Sequence, residues 1–250
     1  MAVQTIFKRS EIKYILTPQQ IELLKDRINP FMSPDIYGLH TISSIYFDNA
    51  IDTVVRTSIQ KPVYKEKLRL RSYGARKRAD TVFLELKKKF KGTVYKRRIA
   101  LTIDEAAAYL RDGTPPKDNG QIFREIDYFV KLYKAYPKIM ISYDRVAYIG
   151  NENPDLRLTL DYNVRARRDR LDFSEGSDGE CLLDGGRAVM ELKISNAMPM
   201  WLCSILSELK IYPSSFSKYG TEYTKRISDT DVHDMLNHEF GDDLHCSQVS

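Results

Sequence analysis

Lys67-Leu68-Arg69-Leu70-Arg71, and after it Leu84-Glu85-Leu86-Lys87-Lys88-Lys89, carry the pattern on which this 250-residue chain must be read. In the first stretch cations alternate with leucines. Successive side chains of a strand point to opposite faces, so Lys67, Arg69 and Arg71 share one face and the leucines the other. In the second, Glu85, Lys87 and Lys89 oppose Leu84 and Leu86. The pattern recurs in Arg9-Ser10-Glu11-Ile12-Lys13-Tyr14, where Arg9, Glu11 and Lys13 align. It returns in Arg157-Leu158-Thr159-Leu160-Asp161 and in Met190-Glu191-Leu192-Lys193-Ile194.

A solvated sheet face accepts Ser, Thr, Asn and Gln freely and mixes charge signs. Here the polar set is carboxylate plus cation, with cations in excess, strand after strand. Like charges facing one another across a ladder are destabilising. A local rule broken in a coordinated way points to a functional surface. About eight antiparallel strands can close into a barrel. With the leucines outward beneath helices, the charged faces would line its lumen. Arg forks and Lys point charges suit phosphate oxygens, and carboxylates suit Mg²⁺ or Mn²⁺ bridging the same phosphates.

The rest of the chain supports an α+β protein built on a mainly antiparallel barrel, with helices packed outside. Strands are expected at Ile6–Leu16, Thr41–Phe47, Tyr64–Tyr73, Thr81–Phe90, Thr93–Thr102, Lys138–Ile149, Leu156–Ala166 and Ala188–Ile194, with Lys91-Gly92 as a hairpin turn. Helices are expected over Pro18–Ile28 with Thr17 as N-cap, Ala50–Ser58, Asp104–Arg111 capped by Thr102 or Asp104, Ile122–Tyr136 and Pro199–Leu209. Residues 1–227 read as one domain and 228–250 as a peripheral acidic tail with six acids and no Lys or Arg. Removing those six acids leaves 39 Lys and Arg against 28 Asp and Glu, a balance of +11 that points to an anionic partner. No apolar run approaches the length of a membrane span, about 18 residues. The charged N-terminus is unlike a signal peptide, so a cytoplasmic location is expected. The odd, scattered cysteines Cys181, Cys203 and Cys246 read as free thiols, not as a zinc site.

Eight motifs in order then resemble a known family: Glu11-Ile12-Lys13-Tyr14, Ser44-Ile45-Tyr46-Phe47-Asp48, Lys67–Arg71, Glu85-Leu86-Lys87, Tyr143-Asp144-Arg145, Arg157–Asp161, Glu191-Leu192-Lys193 and Phe216-Ser217-Lys218-Tyr219. Together they resemble the catalytic domain of vacuolar transporter chaperone polyphosphate polymerases, within the triphosphate tunnel metalloenzymes of the CYTH superfamily. The resemblance runs from about Phe7 to Tyr223. It implies a tunnel barrel that transfers the ATP γ-phosphate to a growing polyphosphate chain with Mn²⁺ or Mg²⁺. It implies a catalytic set of Arg69, Arg71, Lys87, Arg145, Arg157 and Lys193, with further phosphate contacts from Lys13, Lys96, Arg98 and Lys218. Tyr143 and Tyr219 would touch the chain or the nucleotide. Glu191 would be the principal metal ligand, helped by Glu85, Glu11 and Asp161.

One departure matters. Hydrolases of the superfamily open with Glu-x-Glu-x-Lys, whereas here Arg9 takes the first position. A carboxylate lost at the tunnel mouth favours a polyanion binder over a two-metal hydrolase. The expected partners are ATP and inorganic polyphosphate, with no specific nucleic acid, since no RNA-binding motif is present. Two rival readings remain at this point: a tunnel triphosphatase, and a non-catalytic polyanion or RNA binder.

Overall fold

Strand β4 (Tyr64–Ser72) buries Leu68 and Leu70 on one side and turns Lys67 and Arg69 to the other, as the alternation requires. The same division organises the whole computed structural model, which describes residues 10–74, 79–195 and 197–241, with side chains to residue 229. The other strands are β1 (Ser10–Leu16), β2 (Met32–Pro34), β3 (His40–Asp48), β5 (Thr81–Phe90), β6 (Thr93–Thr102), β7 (Tyr136–Gly150), β8 (Arg157–Arg167), β9 (Glu180–Cys181) and β10 (Ala188–Ile194). The helices are α1 (Pro18–Ile28), α2 (Thr53–Ile59), α3 (Ile103–Asp112), α4 (Gln121–Tyr133), α5 (Met200–Glu208) and α6 (Lys218–Gly241). No helix among the described residues is long and apolar enough to cross a membrane.

Local chemistry sets the first helices. Thr17 Oγ1 accepts the backbone N–H of Gln20, while the Gln20 side chain accepts that of Thr17, and Pro18 opens α1. Thr102 and Glu105 form the same reciprocal cap on α3. Of the two caps the sequence offered, Thr102 is the one used.

Among the described residues ten strands form one antiparallel sheet in the order β1-β10-β8-β7-β3-β4-β5-β6, with β2 beside β7 and β9 beside β8. Its apolar face lies under the helices. Leu68, Leu70, Leu84, Leu86 and Ile99 pack with Tyr109 of α3 and with Phe123, Ile126 and Phe129 of α4. Leu158, Leu160, Met190 and Leu192 pack with Leu24 of α1 and with Leu202 and Ile205 of α5. Each such side chain, removed from water, stabilises the fold by roughly 2 kcal/mol. A third cluster lies on the other face, where register sets Ile42, Ile139 and Ile141 on the side of Arg69 and Arg71, and joins them to Val55 of α2, to Phe216 just before α6 and to Tyr219 in its first turn.

The other face is concave. β10, β8, β7, β3 and β4 separate β1 from β5 in the sheet, yet Glu11 Oε2 of β1 lies 3.8 Å from Lys87 Nζ of β5. The curl is that of a tunnel, but the sheet does not close. Among the described residues the expected barrel of about eight strands is an open sheet of ten, ending at β1 and β6. A segment distant in sequence takes that edge of β1: the Ser214 N–H donates to the Lys13 carbonyl at 2.7 Å, so the segment before α6 borders β1 where β6 would have paired. The strands β2 and β9, and the whole of α6, were not anticipated. Helix α6 runs through residue 228, where the acidic tail was expected to begin. Arg9, residues 6–8 of the expected first strand, and the tail beyond residue 241 with Cys246 lie outside the described residues. Cys181 and Cys203 are free thiols.

Candidate functional site

Cross-strand register builds the site. It sets Glu85 of β5 between Arg69 of β4 and Arg98 of β6. Glu85 is 1% exposed and takes five short contacts: Arg69 Nε at 2.9 Å, Arg69 Nη2 at 2.8 Å, Arg98 Nε at 2.8 Å, Arg98 Nη2 at 2.7 Å and Lys96 Nζ at 2.7 Å. Burial alone would raise its pKa, but the charges of Arg69 and Arg71 and the bond from Lys96 hold it down at about 2. Glu85 is thus a buried anion that fixes three cations. Arg71 donates to Ser44 Oγ and to the Tyr143 hydroxyl, both at 3.2 Å. Arg69 donates to the Tyr46 hydroxyl at 3.2 Å. Burial opposes ionisation of Tyr46, yet the charges of Arg69 and Arg71 bring its pKa down to about 8.

A second carboxylate does the same work across the trough. Asp161 of β8 is fully buried and accepts Arg145 Nε at 2.6 Å, Arg145 Nη2 at 2.8 Å and Lys218 Nζ at 2.6 Å. Against the cost of burial, Asp161 and Glu191 raise the pKa of Lys218. Tyr143 links the two clusters. Its hydroxyl receives Arg71, while its ring lies 4.4 Å from Lys218 Nζ and 5.1 Å from the Arg145 guanidinium. The chain departs from regular pairing beside this cluster. The β7–β8 register shifts between Ser142 and Asp144, opposite Asn163 with its φ of +47°.

Nearer the rim the balance changes. Lys13 Nζ is 3.7 Å from Glu11 and donates to the Phe216 carbonyl at 3.3 Å, and Lys87 reaches Glu11 only at 3.8 Å. Among the described residues Lys67, Lys193 and Arg157 have no carboxylate within ion-pair distance. Lys67 donates to Ser217 Oγ at 3.2 Å. Burial, reinforced by Lys65, Lys13 and Lys87 and opposed by Tyr46, brings its pKa down to about 8. Burial lowers Lys193 too, against the pull of Glu191 and Glu11. Arg157 is exposed at the rim, with its Cα paired to Lys193.

The expected residues Lys13, Arg69, Arg71, Lys87, Lys96, Arg98, Tyr143, Arg145, Arg157, Lys193 and Lys218, with Glu11, Glu85, Asp161 and Glu191, therefore share one concave face. Tyr219 is not with them. It is 2% exposed, packs in the core and donates its hydroxyl to Asp48 at 3.1 Å. Lys67, Tyr46 and Ser217 join the site without having been singled out. The spacing of Lys67 from Arg69 and Arg71 already carried the signal for the first.

The carboxylates are not equivalent as metal ligands. Among the described residues no three acidic, histidine or cysteine side chains gather into a ready-made cage. The oxygens of Glu85 and Asp161 are taken up by short bonds to cations. Among the described residues those of Glu191 meet only Lys13 at 3.3 Å, Lys218 at 3.6 Å and Arg145 at 3.7 Å. Burial opposes its ionisation, but Lys218, Lys13 and Arg145 hold its carboxyl well below the usual range. A permanently charged carboxylate with loose partners fits a hard cation that arrives on a phosphate ligand, since Mg²⁺ keeps few protein ligands and shares phosphate oxygens.

A curled antiparallel sheet with α1, α3, α4 and α5 on its convex side and carboxylate-braced cations on its concave side defines a tunnel-like fold. A candidate adenylate cyclase from Bacillus halodurans superposes with a TM-score of 0.53 at 15% identity, covering 83% of this chain and 92% of that one. A candidate adenylate cyclase from Vibrio parahaemolyticus gives 0.47 at 11% identity, covering 88% and 99%. A Pyrococcus horikoshii protein gives 0.47 at 12%, covering 87% and 99%. No curated protein is significantly similar in sequence. The family is nonetheless plain: residues 8–226 match the VTC domain, and this chain belongs to the VTC domain family.

Proposed function

We propose that this protein is a polyphosphate polymerase, transferring the γ-phosphate of ATP to the end of an inorganic polyphosphate chain. The observation that carries this reading is the surplus of cations on the concave face. Glu85 and Asp161 brace Arg69, Arg98, Lys96, Arg145 and Lys218, while Lys67, Lys193 and Arg157 have no carboxylate partner among the described residues. A fold that gathers uncompensated cations in a trough loses stability unless a multivalent anion occupies it. A linear polyphosphate matches that demand in charge and shape.

Phosphoryl transfer asks the protein chiefly for position and charge. The guanidinium groups of Arg69, Arg71 and Arg145 are held rigidly by Glu85, Ser44, Tyr143 and Asp161. They would orient the transferring phosphoryl group and neutralise the charge that spreads over its oxygens. Lys218 and Lys13 would bind the leaving diphosphate or the acceptor. The acceptor oxygen of a terminal phosphate is already anionic at neutral pH, so no side chain has to remove a proton. Mn²⁺ or Mg²⁺, held by Glu191 with Glu11 nearby, would supply further neutralisation of phosphate oxygens.

Incubation with ATP and Mn²⁺, followed by gel electrophoresis for phosphate polymers, tests the reading. The expected product is a ladder of long chains. Free phosphate without polymer would make the protein a triphosphatase instead, and neither product would leave it a polyanion binder.

A further inference from the structure

The trough does not end at its buried cations. Register pairs Lys67 with Lys87, Lys87 with Lys96, and Lys65 with Lys89. Directly opposed side chains in an antiparallel pair sit about 5 Å apart at Cβ, and like charges there repel. Successive rungs lie about 6.8 Å apart along the strands. They run from Arg69 and Glu85 in the interior, past Lys67 and Lys87, to Lys65 and the exposed Lys89. The inner rung has a carboxylate in Glu85. The outer rung has none among the described residues: Lys65 donates only to the Ser58 carbonyl at 3.1 Å. Burial and the nearby charges of Lys89, Lys61 and Lys87 lower the Lys65 pKa.

We infer that Lys65 and Lys89 form an outer subsite for a linear polyphosphate, engaging phosphates beyond those held at Arg69 and Glu85. This rests on the function proposed above. The ladder's face favours inorganic phosphate over RNA. The exposed aromatics of this end, Tyr64 and Phe90, alternate with Lys65 and Lys89 and so occupy the opposite face of the sheet. Among the described residues no exposed aromatic of this end stands on the lysine face to stack bases. A short anion seated on the inner rung leaves the outer rung unused, whereas a long chain reaches it.

The test compares tripolyphosphate with a long-chain polyphosphate on wild type and on the Lys65→Ala/Lys89→Ala double variant. The long chain should bind the variant about tenfold more weakly, the order expected when two half-exposed ion pairs are lost, while tripolyphosphate changes by less than about twofold. An unchanged thermal shift with tripolyphosphate verifies that the variant is folded. Lys65→Gln/Lys89→Gln serves if the alanines unfold it, and Lys65→Arg/Lys89→Arg should restore the wild-type preference. Equal weakening for both lengths, or for neither, overturns the outer subsite and leaves the proposed function standing. So does a variant that loses affinity for single-stranded RNA and not for polyphosphate. A wild type that binds neither length overturns both.

Discussion

At Lys67 the ammonium is half-buried among other cations, and its pKa stands at about 8 in place of 10.5. The sign of the consequence follows from linkage. Between pH 8 and 10.5 the unfolded chain holds this proton and the folded one does not. The empty protein therefore gains stability from this group as pH rises through that window, and carries its full burden below it. A bound polyanion reverses the preference, because phosphate oxygens favour the ammonium. Binding at pH 8 should take up a proton at Lys67, and affinity should fall as pH rises further. Tyr46, also near 8, adds to the fall by becoming a phenolate beside the same anion. Calorimetric titration with tripolyphosphate at pH 8, in two buffers of different ionisation enthalpy, reads the proton uptake. The difference between wild type and Lys67→Met isolates this residue from the titration of the phosphate itself. Identical uptake in the two proteins would rule Lys67 out as the source.

Among the elements, the strands were the most legible, because alternation and the Lys91-Gly92 turn are local signals. That turn carries positive φ at both residues, +45° and +84°, as a tight hairpin turn requires. The caps of α1 and α3 were legible for the same reason. What escaped was set by distant partners. β2 and β9 have three and two residues, too few for any periodicity, and exist only by pairing with β7 and β8. Likewise the open sheet depends on the segment at Ser214 reaching β1, which no local pattern announces. Lys218 and Tyr219 are adjacent in sequence, yet one enters the trough and the other the core, because helical neighbours diverge by about 100°. Asp48 fixes that choice. It is fully buried and accepts the N–H groups of Val54 and Val55 at the start of α2, each at 2.9 Å, and the Tyr219 hydroxyl of α6. Asp48→Ala should cost about 3 kcal/mol, since several buried donors lose their acceptor. It should also weaken tripolyphosphate binding, because Lys218 loses the anchoring of its helix. Asp48→Asn, with one oxygen kept, should lie between. Chemical denaturation and binding isotherms of the three proteins check both effects. A stable Asp48→Ala variant with wild-type affinity would show that α6 is positioned by other contacts.

Across the whole molecule, two buried carboxylates divide the cations into those that are braced and those that are not. The helices on the convex side supply the stability that allows the second group to exist. Removing braced cations such as Arg145 would leave Asp161 short of partners and destabilise the fold. Removing unbraced ones should do the reverse. Lys67→Met with Lys193→Met keeps the side-chain volume and relieves repulsion that a trough screens only partly. The empty double variant should therefore melt at or above the temperature of wild type. Tripolyphosphate, binding only the folded state, should stabilise wild type by about 2.7 kcal/mol at 100 times its dissociation constant. Monophosphate at equal concentration should do much less, since it spans fewer cations. The double variant should show a smaller shift at the same tripolyphosphate concentration, because its affinity is lower. Thermal melts of both proteins, with and without each anion, contain the whole test. A double variant that melts lower than wild type when empty would mean that these lysines are structural. An equal tripolyphosphate shift in both proteins would mean that the anion binds elsewhere.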